Sequence, residues 1–193
     1  MKVVAVNGSP RKDGNTAAMI EAAFEPIRAA GIECELISLA GQTVGGCTAC
    51  MRCRKEADRR CHGRDDFGNG VIEALDAADG ILLASPVYFA DITPELKAII
   101  DRAGYVARGS TGMFVRKPGS GIVVHRRAGA MHALDSINHF FLINQMLVVG
   151  SSYWNLGVGG AKGEAAADEE GVRTMRTLGE NMAWLLGKIG DGQ

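Results

Sequence analysis

The feature that most constrains this 193-residue chain is an alternation of short apolar runs with segments of helical periodicity. Lys2 to Val6 is a β-branched run that breaks at Asn7-Gly8-Ser9-Pro10, the pattern of a buried strand. From Thr16 to Ala30 apolar residues recur at helical spacing, at Ile20, Ala23, Phe24 and Ile27, with Gly31 placed to cap the end. Pro26 interrupts that pattern. A proline inside a helix removes a hydrogen bond, so the helix is expected to kink or stop there. Residues 33–39 read as a second strand, 66–78 as a helix with Asp66 as N-cap, and Gly80 to Ala84 as a wholly apolar third strand. Thr93-Pro94 opens the next helix, with threonine as N-cap and proline at the first helical position. Gly121 to Val124 reads as a fourth strand, 130–144 as a helix, Met146 to Val149 as a fifth strand, and about 169–186 as a last helix.

Strict alternation of this kind, with central strands apolar on both faces, predicts an α/β fold: a parallel sheet with helices on each side. Open sheets bind ligands beyond the carboxyl ends of their strands, at the switch in strand order. The informative loops are therefore 7–16, 85–92 and 125–130. The length fits one domain, 1–193, and no repeat or inter-domain linker interrupts it. Segment 40–65 is too irregular for a simple connection and reads as a functional insertion. A net charge of −1 offers no general electrostatic case for nucleic acid or an acidic membrane surface. No stretch approaches the ~18 apolar residues a membrane span needs. The first residues reach a turn too soon for a signal peptide, and the expected location is the cytoplasm.

The loop after the first strand is rich in anion-binding groups. A phosphate needs backbone N–H donors at a helix N-terminus, hydroxyls and a cation. Ser9, Arg11, Gly14, Asn15 and Thr16 supply them immediately before a helix. The same residues also suit a tight turn with a helix cap. The pattern is neither a dinucleotide Gly-x-Gly-x-x-Gly nor a P-loop, so a mononucleotide fits better. After the third strand come Pro86, Val87, Tyr88 and Phe89. They offer an apolar and aromatic surface for a flat ring and main-chain donors for its polar edge. After the fourth strand, Arg126, Arg127 and Gly129 follow His125. Either arginine could stabilise negative charge on a reduced ring, and a solvated pair is the equal alternative. His125 reads as structural. No side chain stands out as an essential nucleophile or general base.

Cys47, Cys50, Cys53 and Cys61 form the spacing Cys-x2-Cys-x2-Cys-x7-Cys inside the irregular segment. Such crowding in a reducing compartment argues for metal or redox chemistry over disulfides. A compact triple with a fourth cysteine nearby favours [4Fe–4S], with zinc and free redox-active thiols as the alternatives. Arg52, Arg54, Lys55, Arg59 and Arg60 surround the cysteines. They would offset cluster charge, lower thiol pKa values, dock an acidic electron-transfer partner, or simply face solvent. Cys34 reads as a small buried hydrophobe in a strand.

Taken together, Gly8-Ser9-x-Arg11, Gly14-Asn15-Thr16 and Ser85-Pro86-x-Tyr88 followed by Leu96-Lys97 resemble the NADPH-dependent FMN reductase family. The cysteine motif resembles its iron–sulfur flavoprotein branch. The resemblance implies a three-layer flavodoxin-like fold, strand order 2-1-3-4-5, with helices on both faces. It implies FMN, its phosphate on the first loop and its ring on Pro86 to Phe89, and a [4Fe–4S] cluster on the cysteines. It implies an oxidoreductase that moves electrons between a reduced donor, NAD(P)H or ferredoxin, and a small-molecule or protein acceptor. Relatives are dimers or tetramers, with cofactor sites near subunit contacts to which segment 40–65 and Tyr153-Trp154-Asn155 would contribute. Two rivals stay open: an NAD(P)H-dependent FMN or quinone reductase without a cluster, and a non-catalytic flavin- or metal-binding regulatory module.

Overall fold

The computed structural model describes residues 1–190. In chain order it contains β1 (Lys2–Asn7), α1 (Asn15–Ala29), β2 (Glu33–Ser38), α2 (Arg52–Glu56), α3 (Phe67–Ala77), β3 (Gly80–Pro86), α4 (Pro94–Gly109), β4 (Pro118–His125), α5 (Ala130–Ile143), β5 (Leu147–Val148), β6 (Leu156–Val158) and α6 (Glu169–Gly190). All strand pairs are parallel and the sheet order is β2-β1-β3-β4-β5, with β6 paired to the far end of β4. This is the flavodoxin-like α/β architecture that the sequence implies. Among the described residues no helix is long and apolar enough to cross a membrane.

Alternation along the strands builds two cores. Val4 and Val6 of β1, with Ile81 and Leu83 of β3, face α3, α4 and α5 through Leu75, Leu96, Ile99 and Phe141. Val3, Ala5, Leu82 and Ala84 face α1 and α6 through Met19, Phe24, Met175 and Leu178. Each fully buried side chain of this size contributes about 1.5–3 kcal/mol relative to exposure. The strand ends are therefore rigid mounts for the loops that leave them.

The local signals act largely as expected. The Asp66 carboxylate accepts from the Gly68 N–H at 3.0 Å and caps α3. Gly31, at φ +77°, turns the chain after α1 and donates to the Arg28 carbonyl at 2.9 Å. Pro26 does not stop α1, which runs on to Ala29. Burial of Phe24 and Ile27 on either side of it outweighs the single lost amide bond. The expected fifth strand is shorter than 146–149 and its role is split between β5 and β6. Polar side chains fill the gap in the ladder. Ser120 donates to the Val149 carbonyl at 2.7 Å, and the Asn155 amide donates to Ser120 at 2.8 Å. Cys34 is half-buried in β2, less enclosed than expected, because β2 is the edge strand.

Candidate functional site

The loops after β1 and β3 are sewn together. Gly8 donates to the Ala84 carbonyl at 2.8 Å, and the Thr93 hydroxyl donates to the Gly8 carbonyl at 2.8 Å. Thr93 thus stands at the N-cap position of α4 but spends its hydroxyl on the first loop instead of capping. The Ser85 hydroxyl in turn accepts from the Thr93 N–H at 3.0 Å. A Cβ at Gly8 would lie 2.8 Å from Leu96 Cβ and 2.8 Å from Thr93 Oγ1, so only glycine admits this closeness. Within the first loop, Asn7 accepts from Ser9 N–H at 3.0 Å and Ser9 Oγ accepts from Arg11 N–H at 3.1 Å. Asn7 Nδ2 is buried there without a partner. Ser9, Arg11, Asn15 and Thr16 line one concavity with Pro86, Val87, Tyr88 and Arg126. It opens at the carboxyl ends of β1, β3 and β4, beside the N-terminus of α1 and the loop after β3, where open parallel sheets place their binding crevices.

A second concavity is lined by all four clustered cysteines. Segment 41–65 contains no fully buried residue; Val44, Cys53 and Cys61 pack partly buried against the core, and polar and backbone contacts hold the rest. Gly109 lets α2 lie on the end of α4, since a Cβ there would sit 2.7 Å from the Cys53 carbonyl oxygen. The Cys53 thiol donates to the Tyr105 carbonyl at 3.6 Å, and Cys47 Sγ accepts from Ala49 N–H at 3.4 Å. Burial raises the Cys53 pKa, helped by the nearby charges of Cys61, Cys47 and Cys50. Backbone N–H donation from Arg52 and the Thr48 hydroxyl lower that of Cys50. Ala49, Met51, Ala57 and Arg59 all take positive φ, which winds the segment into a tight, strained loop. Among the described residues no group of three or more His, Cys, Asp or Glu side chains is placed to hold a metal ion.

The four thiols, soft donors by chemistry, line one hollow whose walls carry no carboxylate, and the Nε of Arg102, buried and unpaired, belongs to a side chain lining it. A Cβ at Gly63 would lie 2.5 Å from Thr48 Oγ1 and 3.1 Å from Cys50 Sγ, so glycine keeps the hollow open.

The sequence model of the NADPH-dependent FMN reductase family matches residues 1–161. The chain belongs to this family. Within curated proteins it is 36% identical over 196 aligned positions to an iron–sulfur flavoprotein of Methanocaldococcus jannaschii, covering 96% of this chain and 97% of that one. It is 33% identical over 182 positions to the iron–sulfur flavoprotein of Methanosarcina thermophila, covering 93% and 91%. Its fold superposes on a flavodoxin from the domain Archaea with a TM-score of 0.63 at 16% identity, over 97% of this chain and 99% of that one.

Against this family frame, several expected site residues stand elsewhere. Asn15 lines the first concavity, but its amide already donates to the Ala161 carbonyl at 2.7 Å and its carbonyl accepts from Gly163 N–H at 2.9 Å. It ties the loop after β6 to α1. Phe89 points out of the ring surface and is fully exposed. It and Ala90 sit at φ +47° and +67° in a tight turn closed by reciprocal bonds between Tyr88 and Asp91. Gly14 and Arg127 do not line the concavity, and neither does Gly129. Gly129 instead allows close approach, because a Cβ there would meet Ala90 Cα at 2.8 Å. Val124, Gly159 and Gly160 complete the wall and were missed. The only signal for the last two was the Gly159-Gly160 pair itself, which marks close backbone approach.

Proposed function

We propose that this chain is an FMN-dependent oxidoreductase of the iron–sulfur flavoprotein kind, with the whole of 1–193 acting as one flavin-binding domain that carries a cysteine-rich insertion at about 40–65. The observation that carries the reading is the pairing of two concavities. One joins the loops after β1, β3 and β4, and the other gathers Cys47, Cys50, Cys53 and Cys61. The names of the relatives in the preceding section support it.

Ser9, Arg11 and Thr16, with the amides that open α1, hold the phosphate. Pro86, Val87 and Tyr88 support the ring and keep water from one face. Arg126 supplies positive charge beside a reduced ring. Bound FMN accepts an electron pair and releases electrons singly, and a [4Fe–4S] cluster passes one at a time. Four soft thiols lining one hollow supply the donor type that an iron–sulfur cluster takes. The donor is NAD(P)H or ferredoxin, the acceptor a small molecule or a protein, and the working form a cytoplasmic homo-oligomer without nucleic-acid or membrane partners.

The test is flavin, iron and acid-labile sulfide analysis on anaerobically purified protein. The reading expects one FMN per chain with equal iron and sulfide, and a Cys50→Ser variant that keeps FMN but loses iron. Yellow protein free of iron and sulfide would move the assignment to the cluster-free reductase. Protein that takes no FMN at saturation would overturn it.

A further inference from the structure

Arg102 is the one fully buried charged side chain among the described residues that the flavin site does not use. It projects from α4 to the first turn of α3. Gly68 is what admits it: a Cβ there would lie 2.9 Å from the guanidinium carbon. Its Nη1 donates to the Asp66 carboxylate at 2.6 Å and to the Gly45 carbonyl at 3.2 Å. The position is electrostatically costly. A helix N-terminus carries partial positive charge, and burial already disfavours a cation. Asp66 supplies the opposing charge, and that carboxylate also accepts from the N–H groups of Gly45 and Gly68. One donor, Nε, is left buried with no partner. The same side chain lines the hollow that holds Cys47, Cys50, Cys53 and Cys61.

The bonds to Asp66 and Gly45 give Arg102 a structural role as an anchor, but they leave the buried Nε unexplained. A buried ion pair is often matched or bettered in stability by packed apolar residues, and a stranded N–H adds cost. The cost is recovered if an anion occupies the hollow. A guanidinium is not deprotonated in proteins, so the buried group carries its charge into the hollow's wall. We propose that Arg102 is a positioning residue for the sulfur-ligated group: its unpaired Nε–H donates to sulfur in the hollow and favours the reduced, more negative state of that group. The inference rests on the cluster reading above. Hydrogen bonds to cluster sulfurs and local charge are the protein's means of setting potential.

Two variants predict opposite shifts. Arg102→Lys keeps the charge but loses the planar fork and Nε, and lysine does not reproduce such contacts. Asp66→Asn keeps a capping oxygen for Gly68 N–H but frees Arg102 from its carboxylate. Anaerobic redox titration of both, following cluster and flavin signals separately, should show the cluster potential lower in Arg102→Lys and higher in Asp66→Asn. The flavin potential should stay unchanged in both, with iron and sulfide content as in wild type. Clusters retained with unmoved potentials, shifts of the same sign, or equal loss of iron from both variants would overturn the role of Arg102 while leaving the cluster reading intact. Wild-type protein without iron and sulfide would overturn both.

Discussion

The two concavities are built by opposite means. The loops of the first leave strands buried along all but an end residue each, and Gly8 and Gly129 pack against Cβ and backbone atoms. The segment around the second has no fully buried residue between 41 and 65, and only Val44, Cys53 and Cys61 pack partly buried against the core. It is held at a few polar points, including Gly45 to Asp66 at 2.8 Å, Arg59 N–H to Ser110 at 3.2 Å, and Arg59 to Asp76 at 3.2 Å. A core-mounted site is preorganised before its ligand arrives, because the strands supply the rigidity. A segment without its own core relies on a few buried polar anchors and on the group it binds. The lesson is that two concavities in one chain can differ in where their stability comes from.

The sharpest way to break this contrast is to remove the deepest polar anchor. Arg102→Met leaves Asp66 without its buried partner and should destabilise the cluster-free protein by about 3–5 kcal/mol in a urea melt. A loss under about 1 kcal/mol would show that the cysteine side does not hang on this pair. Next in size is Gly8→Ala, which forces a methyl onto Leu96 and Thr93 and should cost about 1–3 kcal/mol while weakening FMN retention on a desalting column. Unchanged stability and flavin content would mean that the first loop yields more easily than its packing implies. Ala90→Gly acts in the other direction. Ala90 holds φ +67°, and relief of a left-handed conformation is worth about 1 kcal/mol, so the midpoint of unfolding should rise.

The smallest effect concerns pH. Burial acts to raise the Asp91 pKa, but donation from Ile92 N–H, contact with Ser136, and the charges of His132 and Lys97 outweigh it and lower the pKa. A lowered folded-state value means that the carboxylate stabilises the fold above its unfolded pKa, and that this contribution fades as pH falls through the folded one. Its partly exposed site limits the gain to under about 1 kcal/mol. Asp91→Asn should therefore be slightly less stable than wild type at pH 7, with the gap closing in acid below the ordinary carboxylate range. Denaturation curves at both ends check this, and a gap that widens in acid would contradict it.

Most of the fold was legible because its signals are local. Runs such as Gly80 to Ala84 are apolar on both faces, Asp66 and Gly31 mark helix ends, and the donor-rich loop after β1 lies where an anion site belongs. What the sequence left open shares a cause. Phe89 stands beside Tyr88 in one dimension, but two left-handed residues leave it fully exposed. Asn15 lines the first concavity as expected, but a loop almost 150 residues away also engages both ends of its amide. Arg102 sits three residues after Ile99 and four before Val106, on the buried stripe of α4, and that spacing was the available sign that its charge points inward.

Periodicity, turn chemistry and cysteine spacing, each readable over a few residues, determined from the sequence alone that this chain makes a parallel α/β sheet with an anion loop and a sulfur-rich segment. Only the tertiary structure decided which side chains meet: Thr93 on Gly8, Asn15 on the loop after β6, Arg102 beside the cysteines. Those choices depend on packing between distant elements and on backbone angles under strain, and neither is encoded in the pattern of neighbours along the chain.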